Sequence, residues 1–274
     1  LLIAAEEGSH GSCECNMSWQ PHKIDPILYT FERDYGMRLQ ALRLVGLKLD
    51  ELPDEIGLQL CALKILSVAN NNLVSLPDTI IKLTNLCELN LLNNKLESLP
   101  LKIGLMSSLN RLEIANNHLK SLPLTLAALT KLDRLILEQN HLTILPENLE
   151  FLVNCKIVNV NQNKLIRLPK CLSRMPSLTS LSACSNELTY IPREIMLSAS
   201  LKVLRLSKNK ITMLPDIIGE IKQLQELIMD YNSLSCLPAT FYMLTNLKTL
   251  RLEGNIPLVA PEQEIIAIGA EAVV

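Results

Sequence analysis

Aromatic side chains are scarce: three Phe, five Tyr and one Trp make up 3% of 274 residues. A core made with so few rings has to be aliphatic, and 48% of the chain is hydrophobic. Net charge is nearly absent too, at −2 from 28 acidic and 26 basic residues. That balance supplies no field for nucleic acid or an anionic surface, and neither is expected as a partner. Long apolar runs are missing because polar residues interrupt them, so no membrane insertion is expected. Residues 1–5 are too short for the core of a signal peptide. The nine glycines stand apart, which excludes a glycine-rich phosphate loop, and GxSxG and HExxH do not occur. No catalytic residues are expected, hence no enzyme activity and no cofactor.

Ligand-bearing residues are equally thin. His10, Cys13, Cys15 and His22 are the one cluster that could hold tetrahedral zinc. Cys-x-Cys is tighter than the usual zinc spacing, so the expectation is no metal. The Asn16-Met17-Ser18 sequon reads as a chance occurrence.

What is abundant is one sentence, repeated. Leu109 to Pro123 reduces to LxxLxLxxNxLxxLP. Its Asn recurs at Asn71, Asn94, Asn117, Asn140, Asn163, Asn186, Asn209, Asn232 and Asn255. The closing proline falls at 53, 77, 100, 123, 146, 169, 192, 215, 238 and 261, so that after one interval of 24 every interval is 23. A fixed period of this size marks a repeat architecture.

Each fixed letter has a physical task. Leucines alternating with variable residues make a short strand with one buried face. Strands one repeat apart must run parallel, since each is followed by the same return path. The Asn stands where the chain leaves the sheet, and its amide can donate to and accept from backbone groups freed there. Stacked in register, the nine amides would form a buried ladder. Leu-Pro closes the turn, and Pro suits the first position of a helical turn because it has no N–H to orphan. Asp54, Asp78, Glu147 and Asp216 follow directly, where an acid favours a helix start.

These residues resemble the leucine-rich-repeat family in its 23-residue intracellular type. The resemblance implies an α/β solenoid: a horseshoe with a concave parallel β-sheet, short convex helical or 3-10 segments and helical caps at both ends. Ten repeats are expected over 39–260, the first atypical in placing Leu47 where Asn belongs. Residues 1–38 are expected to be an irregular lead, loop over 1–23, followed by a capping helix at about 26–35. There Asp25-Pro26 reads as a helix start, Leu28, Phe31 and Tyr35 share a face, and Gly36 stops it. Residues 261–274 read as the start of a C-terminal capping helix. Pro261, Gly269 and Ala272 resemble the closing helix of Ras-pathway scaffold leucine-rich-repeat proteins. The start without Met and the apolar end at Val273-Val274 suggest a piece of a longer chain.

Eight cysteines are present. Cys155 takes a core leucine position, and Cys61, Cys87, Cys171, Cys184 and Cys236 are scattered over different repeat positions. No cysteine cluster closes the C-terminal end, as it commonly does in extracellular members of the family. Scattered thiols fit a reducing compartment, so a cytoplasmic location is expected. His118 and His141 share one repeat position in neighbouring repeats, and two ligands do not complete a metal site.

Function is expected on the variable strand positions, because nothing in the chain is left to cover that sheet face. The candidate partner-binding residues are Glu88, Arg111, Glu113, Arg134 and Glu138 in the first half. In the second they are Arg205, Lys208, Glu226, Asp230, Tyr231, Arg251 and Glu253. Between them Asn159, Asn161, Ser180, Ser182 and Cys184 form a neutral middle. Arg and Tyr are favoured interface anchors. Arg111 and Arg134 sit on neighbouring strands and should repel unless an acid intervenes. The expected function is a non-catalytic scaffold or adaptor in intracellular signalling that binds a folded protein. The alternative is the recognition domain of a larger signalling enzyme. The family resemblance implies a small GTPase, a kinase or a phosphatase subunit as partner.

Overall fold

Each repeat lays down three residues with an apolar centre and variable flanks, as in Arg111-Leu112-Glu113. Alternation buries Leu112 completely and leaves Arg111 and Glu113 on the opposite face. The computed structural model describes residues 39–256 and 258, and the backbone of residues 4–7 and 13–16. It divides into two compact units, Leu1–Ile136 and Leu137–Val274.

The first unit contains β1 (Ala4–Glu7), β2 (Cys13–Asn16), β3 (Leu39–Arg43), β4 (Ile65–Ser67), β5 (Glu88–Asn90), β6 (Arg111–Glu113) and β7 (Arg134–Ile136). From β3 onward each strand pairs parallel with the next, in a register of one period: Glu88 beside Arg111 beside Arg134. The second unit contains β8 (Ile157–Asn159), β9 (Ser180–Ser182), β10 (Val203–Arg205), β11 (Glu226–Ile228) and β12 (Thr249–Arg251), paired parallel in chain order. Within each unit this is the leucine-rich-repeat fold.

The lead departs from its expectation. Residues 1–23 read as loop, yet β1 and β2 pair antiparallel with Ala4 opposite Asn16, and β2 pairs parallel with β3. The cause is non-local. The outer edge of β3 offers unpaired N–H and C=O groups, a template for one more strand, and sequence periodicity does not report such an edge. The helices expected at 26–35 and 261–274 lie outside the described residues.

Return segments are short. The first holds α1 (Glu55–Gln59), and the others hold 3-10 turns of three to five residues, such as Asp78–Lys82, Leu124–Ala128 and Lys170–Arg174. Proline stands one position earlier than expected, just outside the turn. Pro77 and Pro123 keep extended backbone (ψ 143° and 141°), and their carbonyls accept the Ile80 and Leu126 N–H groups at 3.0 Å. The missing N–H is harmless there, and the ring fixes the entry angle.

The core is stacked aliphatic columns. Leu86, Leu109 and Leu132 start successive repeats of the first unit and are fully buried; Cys155, also fully buried, takes the leucine's place in the second. Phe241 is the largest fully buried side chain. Removing one such leucine side chain should cost about 2–5 kcal/mol.

The nine Asn side chains are all buried. Asn117 shows what they do. Its Oδ1 accepts the Leu96 N–H of the preceding repeat at 3.0 Å. Its Nδ2 donates to Leu91 O of that repeat at 2.9 Å, and to Ile114 O and Ala115 O of its own at 3.1 and 3.2 Å. Asn186 repeats the pattern with Leu165, Val160, Ala183 and Cys184. Asn71 serves repeat 1, accepting from Leu47 and Leu49 N–H at 2.9 and 3.1 Å. Each Asn works backwards, so the backbone of repeat 1 beside Leu47 is sealed by Asn71 of the next repeat.

One backbone feature was not anticipated. The residue before each ladder Asn has positive φ: Asn70, Asn93, Asn116, Gln139, Gln162, Ser185, Lys208 and Tyr231 lie between 53° and 60°, and Gly254 at 71°. Left-handed backbone costs an ordinary residue roughly 1–2 kcal/mol, less for Asn. It swings the chain off the sheet so that the next side chain points inward. In the first unit these residues form a second, exposed amide row: Asn93 Nδ2 donates to Asn70 Oδ1 at 2.6 Å and Asn116 Nδ2 to Asn93 Oδ1 at 2.8 Å.

Candidate functional site

The open sheet face of each unit carries the candidate residues. In the first unit, Glu88, Arg111 and Arg134 share one row across β5, β6 and β7. The adjacent arginines avoid conflict by turning to their own acids. Arg111 Nη2 meets Glu113 Oε1 at 3.0 Å, and Arg134 Nε meets Asp133 Oδ2 at 3.4 Å. Arg111 and Glu113 can do so because residues two apart on a strand share a face. Exposed pairs of this kind contribute about 0–1 kcal/mol, so both arginines can exchange partners cheaply. Half-buried Glu88 lines a groove of about 190 Å³ with Arg43, Ile65, Ser67, Asn90 and Arg111.

In the second unit much of the neutral middle is engaged internally. Asn159 Oδ1 accepts the Asn161 N–H at 3.0 Å, and Asn161 Oδ1 the Cys184 N–H at 2.7 Å. Glu138 accepts from Asn159 Nδ2 at 3.0 Å. The Cys184 thiol is pushed up, first by burial, which disfavours thiolate chemistry there. Cys171 is pushed up to about 11, again chiefly by burial.

The far strands are different. Arg205, Ile228 and Arg251 form one row across β10, β11 and β12. Arg205 Nε donates to Glu226 Oε1 at 2.6 Å, and that bond holds the guanidinium above its ordinary value. Arg251 is exposed and has no ion pair among the described residues. Exposed Tyr231 lies against Gly254, where an added Cβ would stand 2.5 Å from the ring. Lys208 and Glu253 are exposed as well. Asp230 corrects its surface reading: it is buried, and its Oδ1 accepts the Glu253 N–H at 3.1 Å. It completes the turn beneath Tyr231 rather than offering a charge.

Reading the face by its charges missed its apolar members. Ile65, Ile136, Ile157, Val203 and Ile228 are half-exposed at the same variable positions. They were findable, because a hydrophobic letter at a position that the core does not use has no reason to be there. Binding patches combine such residues with a polar rim.

Among the described residues no group of three or more His, Cys, Asp or Glu could hold a metal. His10 and His22, like the side chains of Cys13 and Cys15, lie outside what is described. Among the same residues no helix is long and apolar enough to cross a membrane.

Comparison with known proteins agrees with the fold. A family profile described as leucine rich repeat matches residues 199–256. No curated protein matches the chain. Among solved structures, the plant peptide hormone receptor RGFR1 in complex with RGF2 is 26% identical, with a TM-score of 0.69 over 81% of this chain and 43% of that one. The PEPR1-AtPEP1 complex is 28% identical, TM-score 0.68, over 80% and 32%. The Drosophila Toll–Spatzle complex is 27% identical, TM-score 0.68, over 78% and 30%. The chain thus spans less than half the length of each of these proteins. Together the findings support a leucine-rich-repeat protein, a fold that generally serves as a binding scaffold.

Proposed function

We propose that this chain is a non-catalytic interaction module that binds a folded protein on its open sheet face and acts as a scaffold or adaptor in intracellular signalling. The observation that carries the reading is the row Arg205–Ile228–Arg251 beside Tyr231. It joins an unpaired guanidinium, a half-exposed aliphatic side chain and an exposed aromatic ring on rigid backbone. Arg and Tyr dominate binding hot spots because they bring large contact area and directional donors together. Glu88, Arg111, Glu113 and Arg134 extend the candidate residues in the first unit and Glu138 in the second, where charges of both signs suit a partner of mixed charge. The peptide hormone receptor and Toll complexes show the fold engaging protein ligands, which supports the same use here. A small GTPase, kinase or phosphatase subunit remains the partner class suggested by family resemblance.

Free Cys61, Cys87, Cys155, Cys171, Cys184 and Cys236 support a reducing, cytoplasmic setting. Thiol titration of the purified protein, denatured without added reductant, should count eight reactive thiols; a count near zero would place it outside the cell. The second reading is the recognition domain of a larger signalling enzyme, such as a ubiquitin ligase, kinase or GTPase-containing protein. The decisive experiment is affinity capture with quantitative mass spectrometry, using Arg205→Ala/Tyr231→Ala/Arg251→Ala as control. Loss of specific partners at unchanged melting temperature is the expected result, and undiminished capture by the triple variant refutes this face as the site.

A further inference from the structure

The first unit carries a second surface, on the return side, whose chemistry is unlike the open face. The return segments 78–85, 101–108 and 124–131 contain Lys82, Lys102 and Lys131 but one acid, Asp78; three positive charges less one leave a net of +2. None of the three lysines has an ion pair among the described residues. Between them stand Leu101, Leu105 and Leu124, with 78%, 57% and 67% of their surface exposed.

These leucines form one patch because the coils beneath them are clamped. A Cβ at Gly104 would stand 2.2 Å from Thr125 O, so the two return segments meet at backbone contact. Thr125 Oγ1 donates to Leu101 O at 2.6 Å across the same seam. Leu101 and Leu124 hold the same position on consecutive coils. The patch is clamped, apolar and edged by three lysines against the single acid Asp78.

We propose that this patch docks an acidic amphipathic helix of a protein partner, its apolar side chains on Leu101, Leu105 and Leu124 and its carboxylates toward Lys82 and Lys102. Charge complementarity selects the sign, since three lysines outnumber the one acid, Asp78, around the leucines. Shape suits a helix, since Leu101 and Leu124 hold one position on consecutive coils with Leu105 on the same segment as Leu101, three contacts that one apolar helix face can cover. A membrane fits less well, because Asp78 occupies on the preceding coil the position of Leu101 and would face the anionic surface. A helix can pass it by.

The test uses the full chain and a fluorescent helical peptide of roughly 18 residues, with leucine along one face and glutamate on both flanks. Saturable, salt-sensitive binding is expected. It should weaken at least about tenfold in Leu101→Ser/Leu124→Ser, and similarly in Lys82→Glu/Lys102→Glu, a pair that alters no packing. The same peptide with lysine in place of glutamate should not bind. Equal binding of both peptides overturns the proposal. So does leucine-dependent pelleting with phosphatidylserine-containing vesicles without peptide binding, or a dimer in sedimentation that the leucine pair dissolves.

Discussion

The two units clamp their return segments by different means. In the first, adjacent segments meet through small and neutral groups, Gly104 against Thr125 O and Thr125 Oγ1 on Leu101 O. In the second, segments 147–154, 170–177 and 193–200 are laced by ions. Arg174 reaches Glu150 at 2.7 Å and Lys170 reaches Glu194 at 3.0 Å, and Arg167, just ahead of the second segment, reaches Glu147 at 3.6 Å. Where the second unit returns to the neutral device, at Gly219 and Thr240, the ion pairs stop: Gly219 packs on Thr240 O, and Thr240 Oγ1 donates to Asp216 O. A coil seam can thus be clamped by close backbone approach, or by charge alongside a hydroxyl bond such as Ser177 Oγ on Val153 O. Both kinds leave apolar side chains exposed, Leu101 and Leu124 on the first and Phe151 and Leu197 on the second.

This contrast can be broken in stages. The largest effect belongs to what the units share. Asn117→Leu and Asn186→Leu each leave a buried N–H and several carbonyls without partners. Each should cost about 3 kcal/mol or more, at 1–3 kcal/mol per orphaned group. Chemical denaturation should give similar losses for the two; a mild change in either would mean the ladder is not what holds the coils. Gly104→Ala comes next. Its methyl has no room beneath Thr125 O, and the first unit should lose roughly 1–3 kcal/mol. Hydrogen exchange should rise in residues 101–128 while segment 147–177 stays protected.

The ionic seam should respond to acid instead. Burial pushes the Glu150 carboxyl up, but its bond to Arg174 prevails and holds it below the ordinary value. A carboxyl lowered on folding favours the native state above its unfolded value of about 4.3, and that gain is lost as pH falls through the lower folded value. Exchange protection factors in 147–177 should therefore fall as pH drops below that unfolded value, and Arg174→Gln should flatten that dependence. Since Arg174 is mostly exposed, solvent screening should keep the effect small. Smallest is Thr125→Val, which removes one hydroxyl bond at a partly hydrated seam and should cost about 0.5–1 kcal/mol.

Much of the fold could be read from letters alone, because every coil solves the same local problem. Leu112 between Arg111 and Glu113 announces a strand, and Asn117 announces the turn. The pairing of β2 with β3 could not be read, since it answers an edge that exists only after folding. The left-handed backbone at Asn70, Asn93 and Asn116 was hidden because the pattern scores apolar positions, though the Asn-Asn doublets were in plain view. At the candidate site, Arg251 and Tyr231 stand where variable positions put them. Asp230 does not, because the exit turn folds its carboxylate onto the Glu253 N–H. Charge at a variable position shows which face a residue starts on, not whether the turn consumes it.

The backward reach of the ladder gives the molecule a direction. Asn117 closes the amide of Leu96 and Asn186 that of Leu165, each on the coil made earlier. On a ribosome the newest coil is thus always the unfinished one, waiting on the next 23 residues for its seal. Trimming from the front strips a coil without unsealing those that follow. Trimming from the back opens the one left behind.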